Sequence, residues 1–171
     1  MEMTLLTDWL GADPSGWLVS EKFDGWRVVW TGSEFVTRSG QVLPVPADWK
    51  VGMPDIEIDG ELFAGRRNFN SIQERIANGF RGLEFVAFDA PSDLPFAKRV
   101  KTLESLDLPA HCRVAKFTKC RDEAHWLAMA DEVVADGGEG IVGRPAKSKW
   151  EGGRSLNAQR WVPQDPAINR I

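Results

Sequence analysis

The sequence predicts an α+β domain in which antiparallel sheets are covered by a few helices. Short β-branched and aromatic runs, broken by glycine pairs, dominate the first half of the chain and are typical of hairpins. Later stretches carry apolar residues at helical spacing, followed by helix stop signals. The 171 residues contain no internal repeat or low-complexity linker, so we expect one domain over residues 1–171.

Each predicted strand follows from its own pattern and its flanking turns. Residues 17–22 precede Asp24-Gly25, and residues 26–30 follow it as the expected second arm of a hairpin. Alternation of apolar and polar side chains or an aromatic, β-branched run marks the others. These are residues 34–38 (after Thr31-Gly32), 56–63, 84–89, 113–117 and 141–142.

Three helices are predicted, each with an apolar stripe that we expect to face the core. Residues 72–77 follow Asn70-Ser71, which are suitable capping residues, and precede the stop signal Asn78-Gly79. The other two helices are predicted over residues 96–106 and 122–135.

The composition excludes several classes of protein. With 43% hydrophobic and 27% charged residues, the chain is neither disordered nor collagen-like. No apolar run approaches the roughly 20 residues of a membrane span, and the first residues lack signal-peptide character. Cys112 and Cys120 are too few for a disulfide framework or a zinc site. We therefore expect a cytoplasmic protein.

The net charge of −4 is unevenly distributed. Residues 1–60 hold ten acidic and four basic residues, whereas residues 143–171 hold six basic and two acidic ones. Such a tail suits contact with phosphate, although a solvated basic face has the same composition. A domain that grips nucleic acid over its whole surface is usually more basic than this.

A candidate nucleophile stands in Lys22-x-Asp24-Gly25-x-Arg27. A lysine at a strand end before a tight turn is held rigidly and partly desolvated, and only its neutral amine is nucleophilic. Arg27 returns on the next strand, where it can meet an anion bound near Lys22. Alone, the string equally fits a hairpin turn with flanking charges.

Two carboxylates lie beside glycines at predicted strand ends, in Asp59-Gly60-Glu61 and Gly138-Glu139-Gly140. Glycine lets a ligand approach the backbone, and the carboxylate can accept hydrogen bonds or bind a metal. Each string by itself also fits an ordinary turn, as does Thr37-Arg38-Ser39-Gly40.

Taken in order, five strings resemble the motifs of covalent nucleotidyltransferases, the superfamily of ATP-dependent DNA ligases, RNA ligases and mRNA capping enzymes. They are Lys22-x-Asp24-Gly25-x-Arg27, Thr37-Arg38-x-Gly40, Asp59-Gly60-Glu61, Phe85-Val86-Ala87-Phe88-Asp89 and Glu139-Gly140-Ile141-Val142. Residues 19–25, 62–66 and 137–140 are most similar to minimal bacterial ATP-dependent DNA ligases. The resemblance covers about residues 15–165. It implies an ATP-grasp-like nucleotidyltransferase fold and an enzyme that seals nicks in duplex DNA during repair or replication.

The resemblance also implies roles around the nucleotide. Lys22 matches the lysine that attacks the α-phosphorus of ATP and becomes adenylylated. Arg27 and Glu61 match residues that hold the ribose hydroxyls, and Phe88 matches an aromatic residue that stacks on adenine. The backbone at Ser20 and Glu21 matches the segment that reads the edge of the base.

Other roles concern the metal and the DNA. Glu139, together with Glu61, matches carboxylates that position Mg²⁺ or Mn²⁺ near the α-phosphate. Arg38 matches an arginine that faces the phosphate of the nicked strand. Arg160 takes the place of the first lysine in a Lys-x-Lys pair that contacts the α-phosphate and takes part in catalysis.

Two departures from the family pattern stand out. Arg160-Trp161-Val162 aligns with the Lys-x-Lys pair, so one charge is absent and the other is a bulkier, permanently protonated guanidinium. An alignment shifted by three places Asn157 and Gln159 there instead. No OB-fold domain follows, so such a domain comes from another chain, is dispensable, or was lost by truncation.

Two alternative functions stay open. The chain could be an RNA ligase or capping-type transferase, or a non-catalytic nucleotide- or nick-binding module.

Overall fold

Two five-stranded sheets form the framework of the computed structural model, which describes residues 2–164. The strands are β1 (Thr4–Asp8), β2 (Trp17–Glu21), β3 (Trp26–Trp30), β4 (Phe35–Thr37), β5 (Ile58–Phe63), β6 (Glu84–Asp89), β7 (Cys112–Val114), β8 (Thr118–Lys119), β9 (Ile141–Pro145) and β10 (Gly153–Trp161). The helices are α1 (Ile72–Ala77), α2 (Phe96–Glu104) and α3 (Glu123–Ala135), with short 3-10 turns at Ala47–Trp49 and Phe69–Ser71.

The two sheets are mixed. The first sheet has the order β1-β10-β9-β2-β8, and the second has the order β4-β3-β5-β6-β7. The pairs β1–β10 and β6–β7 are parallel, and the others are antiparallel. The predicted α+β class is confirmed, but the sheets are not antiparallel throughout. A parallel neighbour needs a crossover connection, which α2 supplies between β6 and β7.

The predicted hairpin across Asp24-Gly25 is wrong. β2 pairs with β8 and β9 in the first sheet, whereas β3 pairs with β4 and β5 in the second. The apolar side chains explain the split, because Trp17 packs with α3 while Val28 is buried in the core of the second sheet. Residues 22–25 therefore link the two sheets. The hairpin at Thr31-Gly32 does form, between β3 and β4.

Three hydrophobic clusters support the sheets. The largest covers the second sheet and includes Val28, Phe35 and Ile72. Another lies under the first sheet, where Trp126 of α3 is fully buried against Trp17. The third joins the second sheet to the links between the sheets: Phe23, Phe63, Val86 and Ala115, with Phe88 and Phe117 packed against it.

The helices agree with the predictions except at their ends. Helix α1 has the predicted bounds, but the Ser71 side chain does not cap it and donates to the Asn68 carbonyl instead (2.7 Å). Helix α2 ends at Glu104 rather than at residue 106. Asp122 caps α3 by accepting a hydrogen bond from the His125 amide (2.8 Å).

Two further differences concern strands. The run predicted over residues 113–117 divides, because β7 ends at Val114 in the second sheet and the chain then crosses to β8 in the first. Strands β1 and β10 were not predicted, since their pairing joins opposite ends of the described chain. No helix within residues 2–164 has both the length and the apolar character that crossing a bilayer requires.

Candidate active site

A cavity of about 310 Å³ is lined by residues of both sheets. Strand β1 contributes one wall, which no sequence pattern predicted. The lining residues from the predicted site are Ser20, Glu21, Lys22, Arg27, Arg38, Glu61, Phe88 and Arg160. The structure thus gathers eight of the nine predicted site residues around one cavity, and the ninth, Glu139, contacts Lys22.

Lys22 follows the last residue of β2, where the chain leaves the first sheet. Its backbone N–H donates to the Gly140 carbonyl (2.8 Å), which anchors this point of the chain beside β9. Its Nζ donates to Oε1 of Glu139 at 2.6 Å. The two side chains are 18% and 33% exposed, so the pair is accessible from the cavity without being fully solvated.

The contact with Lys22 uses one of the two carboxylate oxygens of Glu139. Its Oε2 is buried and finds no hydrogen-bond partner among residues 2–164. The flanking glycines permit this placement, because a Cβ on Gly140 would come within 2.1 Å of the Trp161 carbonyl oxygen. An unsatisfied buried carboxylate oxygen is costly unless a cation or another donor joins it.

Arg27 and Glu61 lie opposite each other on β3 and β5. Arg27 forms a bidentate ion pair with the fully buried Asp59, with Nε donating to Oδ1 at 2.6 Å. Burial alone would lower the pKa of Arg27, but the charges of Asp59 and Glu61 raise it above its ordinary value. The guanidinium is therefore a fixed positive charge at this wall.

Glu61 is placed in an unusual environment. Burial raises its pKa to about 8, although the nearby positive charges of Arg27 and Lys22 oppose that rise. Glu61 therefore carries a proton at neutral pH in the ligand-free protein. A protonated carboxyl can donate a hydrogen bond, and it becomes a carboxylate when a further cation approaches.

Two guanidinium groups lie near the Phe88 ring. Arg27 Cζ is 4.7 Å from the ring centroid and Arg144 Cζ is 6.0 Å from it. Arg144 is buried, lines the cavity, and pairs with Asp89. Burial lowers the pKa of Arg144, and the charge of Asp89 opposes that effect. From sequence, Arg144 was interpreted only as a tail charge, but its spacing two residues after Val142 on β9 already places both on one face.

Basic side chains surround the mouth of the cavity. Arg38 and Arg154 are exposed, and Arg160 is partly exposed and donates from Nε to Oδ1 of Asp8 (2.7 Å). Val162 does not line the cavity and packs beside Gly140 instead. The charged residues at positions 165 and 170 of the tail lie outside the described residues.

Ser20 and Glu21 belong to the segment expected to read the edge of the base, and their side chains contact other groups of the protein. Ser20 is buried in β2 and its hydroxyl makes only a long contact with the Glu21 carbonyl (3.4 Å). The Glu21 carboxylate binds Arg66 in bidentate fashion, at 2.9 and 3.0 Å. Sequence reasoning missed a role for Arg66, whose only signal was its place in a family-like run.

The protein side chains around the cavity supply only part of the ligand set that a divalent cation needs. Within residues 2–164, no three carboxylate, histidine or cysteine side chains converge as a metal site. The unpartnered Glu139 oxygen and the neighbouring Glu61 nevertheless suit Mg²⁺, which is commonly held by one or two carboxylates together with substrate phosphates.

The chain resembles known DNA ligases. It is 31% identical over 163 residues to a DNA ligase of Haemophilus influenzae, an alignment that covers 90% of this chain and 60% of that protein. It also superimposes with a TM-score of 0.85 and 26% identity on a solved Lig E DNA ligase, covering 95% of this chain and 69% of the other. The ATP complex of the bacteriophage T7 ATP-dependent DNA ligase gives a TM-score of 0.74 at 12% identity, over 96% and 69% of the two chains.

This chain has the fold of the nucleotidyltransferase domain of DNA ligases. Its two mixed sheets and few helices are the fold of that domain. No family model matches it. The chain spans about 60% of the length of the Haemophilus relative that it matches.

Proposed function

We propose that this nucleotidyltransferase domain uses ATP to seal 5′-phosphate/3′-hydroxyl nicks in duplex DNA through a covalent AMP on Lys22. The observation that carries the proposal is the 2.6 Å contact between Lys22 Nζ and Glu139 beside a cavity of nucleotide size. The 31% identity to a DNA ligase supports the same chemistry.

In the first step, Lys22 Nζ attacks the α-phosphorus of ATP. An N–P bond forms, the bond from the α-phosphorus to the bridging oxygen breaks, and pyrophosphate leaves. The amine must first lose a proton, and the Glu139 carboxylate is the group in contact with it. Arg160 and Arg27 border the cavity, so they are suited to stabilise the negative charge that develops on the phosphoryl oxygens.

The nucleotide site is proposed from the nature of the lining. Phe88, Phe96 and Phe117 offer aromatic surface for a base, and the backbone near Ser20 and Glu21 offers polar groups at its edge. Arg27 and Glu61 stand where ribose hydroxyls can be bound, since a protonated Glu61 can donate and its other oxygen can accept. When bound, Mg²⁺ or Mn²⁺ at Glu139 and Glu61 would neutralise phosphate charge.

The later steps return the lysine to its starting state. An oxygen of the DNA 5′-phosphate attacks the AMP phosphorus, the N–P bond breaks, and the Lys22 amine is released and takes up a proton. The 3′-hydroxyl then attacks the 5′-phosphorus, loses its proton, and displaces AMP. Arg38, Arg154 and Arg160 at the cavity mouth are proposed to contact the DNA phosphates. A separate OB-fold or other DNA-binding partner would extend that contact.

Intact-mass analysis tests the first step directly. After incubation with ATP and Mg²⁺, we expect one adenylyl adduct on the protein and none on Lys22→Ala. Lys50→Ala is the matched control, because Lys50 makes a similar ion pair, with Glu34 at 2.5 Å, away from the cavity. An equal adduct on Lys22→Ala contradicts the assignment, and no adduct on any form indicates a non-catalytic binding module.

Substrate choice needs separate assays. GTP replaces ATP in a parallel reaction, and nicked duplexes with DNA or RNA at the 3′-hydroxyl and 5′-phosphate strands serve as acceptors. The proposal requires preference for ATP and for the DNA nick. Preference for GTP or for RNA would assign the domain to a capping-type transferase or an RNA ligase instead.

A further inference from the structure

Arg66 bridges the segments that carry Lys22 and Glu139. Its Nε and Nη2 bind both oxygens of Glu21, which directly precedes Lys22. Its Nη1 donates to the Asp136 carbonyl at 3.1 Å, three residues before Glu139. Arg66 itself follows β5, the strand that carries Glu61. One side chain thus joins the three segments that supply Lys22, Glu139 and Glu61.

The neighbouring residue reinforces this bridge. Arg67 has a left-handed backbone with φ of 64°, which is a costly conformation for a residue other than glycine. Its guanidinium packs onto Gly137, where a Cβ would lie 2.9 Å from Arg67 Nε. The turn before Glu139 therefore contacts both Arg66 and Arg67, and glycine suits position 137 because its φ of 87° is one that other residues rarely adopt.

Simple stabilisation does not account for this arrangement. Arg66 and Glu21 are 34% and 19% exposed, and ion pairs with such exposure contribute little to the free energy of folding. The end of α3 is already satisfied by its own hydrogen bonds, with the Asp136 and Gly137 amides donating to Glu132 and Val134 carbonyls. The bridge instead fixes groups from the two sheets relative to one another.

We propose that Arg66, braced by Arg67, is a positioning residue that holds Lys22 in register with the Glu139 and Glu61 carboxylates. The inference rests on the proposed adenylylation of Lys22. Arg66 does not line the cavity, so its effect is exerted through Glu21 and the 136–138 turn rather than on the nucleotide. A misplacement of about 1 Å can reduce the rate of such a step by about 100-fold.

Single-turnover adenylylation of Arg66→Ala tests the proposal. We expect the rate at saturating ATP to fall by about tenfold or more, with the half-saturating ATP concentration unchanged within about twofold. Arg66→Lys should recover part of the rate. Glu21→Gln should slow the step like Arg66→Ala, and the double variant should be no slower, because both changes break one bridge. Lys50→Ala, which breaks a similar surface pair, should retain the wild-type rate.

A second readout works without ATP. Competitive acetylation, read by mass spectrometry, gives the reactivity of Lys22 relative to Lys50, and loosening the Lys22–Glu139 contact should raise it in Arg66→Ala and Glu21→Gln. Unchanged Lys22 reactivity, or a wild-type rate at saturating ATP, overturns the proposal. If Arg66→Ala does not fold, Arg66→Lys and Glu21→Gln test the same bridge with smaller changes. Absence of any adduct on the wild-type protein overturns the proposed function, whereas the acetylation result still decides the role of Arg66.

Discussion

At the scale of single residues, three carboxylates of the site behave differently because their surroundings differ. Glu21 is neutralised by a bidentate arginine, and Glu139 holds the Lys22 ammonium while leaving one oxygen unpartnered. Glu61 is desolvated strongly enough to remain protonated at neutral pH. All three residues are glutamates, so the packing around each one assigns its chemistry.

Glu61 makes the stability of the ligand-free protein dependent on pH. Its pKa is near 4.5 in an unfolded chain and about 8 in the folded one, so the unfolded state binds fewer protons between these values. Stability attributable to Glu61 is full below pH 4.5 and is lost as the pH rises through 8. Glu61→Gln should remove this loss, gaining on the order of 4 kcal/mol relative to wild type between pH 5 and pH 8.5.

Urea unfolding in EDTA, followed by fluorescence at several pH values, measures that difference. Glu74→Gln is the control, because Glu74 is an exposed residue of α1 that does not line the cavity. A constant difference between Glu61→Gln and wild type across this pH range would contradict the raised pKa.

At the scale of elements, the link between β2 and β3 determines how the site is assembled. Residues 22–25 cross from the first sheet to the second and bring Lys22 beside Glu61. Gly25 passes so close to β5 that a Cβ there would lie 2.3 Å from the Leu62 carbonyl oxygen and 2.8 Å from Glu61 Cγ. Glycine is needed for this close approach rather than for a hairpin turn.

Gly25→Ala should therefore move the link away from β5. We expect a loss of about 2 kcal/mol in the free energy of unfolding, as for overpacking against a rigid neighbour. Adenylylation should slow as well, because Lys22 and Glu61 are displaced relative to each other. The neighbouring exposed residue gives the control Asp24→Ala, whose stability should stay within about 0.5 kcal/mol of wild type. Equal stability of the two variants would contradict this prediction, because it would show that β5 accommodates the added methyl group with no loss in the free energy of unfolding.

At the scale of the whole molecule, a buried ionic network joins the two sheets and α2. Asp89 of β6 accepts hydrogen bonds from Arg99 of α2 (2.7 Å to Oδ1) and from Arg144 of β9. The side chains of Asp89, Arg99 and Arg144 are 0%, 1% and 7% exposed. Because Arg144 also lines the cavity, the network places one wall of that cavity while it holds the sheets together.

Removing the negative charge of Asp89 should strongly lower the free energy of unfolding. Asp89→Asn leaves two buried guanidinium groups without the carboxylate that pairs with both of them, and we expect a loss of about 4 kcal/mol in the free energy of unfolding. Glu84→Gln breaks the exposed bidentate pair with Arg113 and should cost at most about 1 kcal/mol. Denaturant unfolding, monitored through the eight tryptophans, compares the two variants. Similar losses in both would mean that burial does not decide the strength of these pairs.

Most of the local structure and the order of the motifs could be predicted from the amino-acid sequence alone. The strands over residues 17–22, 26–30 and 84–89 and the helix over residues 72–77 follow from alternation, helical spacing and stop signals. These features depend on residues close together in the chain, so a pattern of neighbours is enough to predict them.

The pairing of the strands and the state of each side chain emerged only from the folded chain. Lys22 and Glu139 are 117 residues apart, and Asp89 of β6 accepts from Arg99 of α2 and Arg144 of β9. The crossing of residues 22–25 between sheets, the role of β1 as a cavity wall, and the raised pKa of Glu61 likewise depend on distant segments. Burial and charge pairing arise from the whole packed chain, and a local pattern carries no information about the partner that packing will supply.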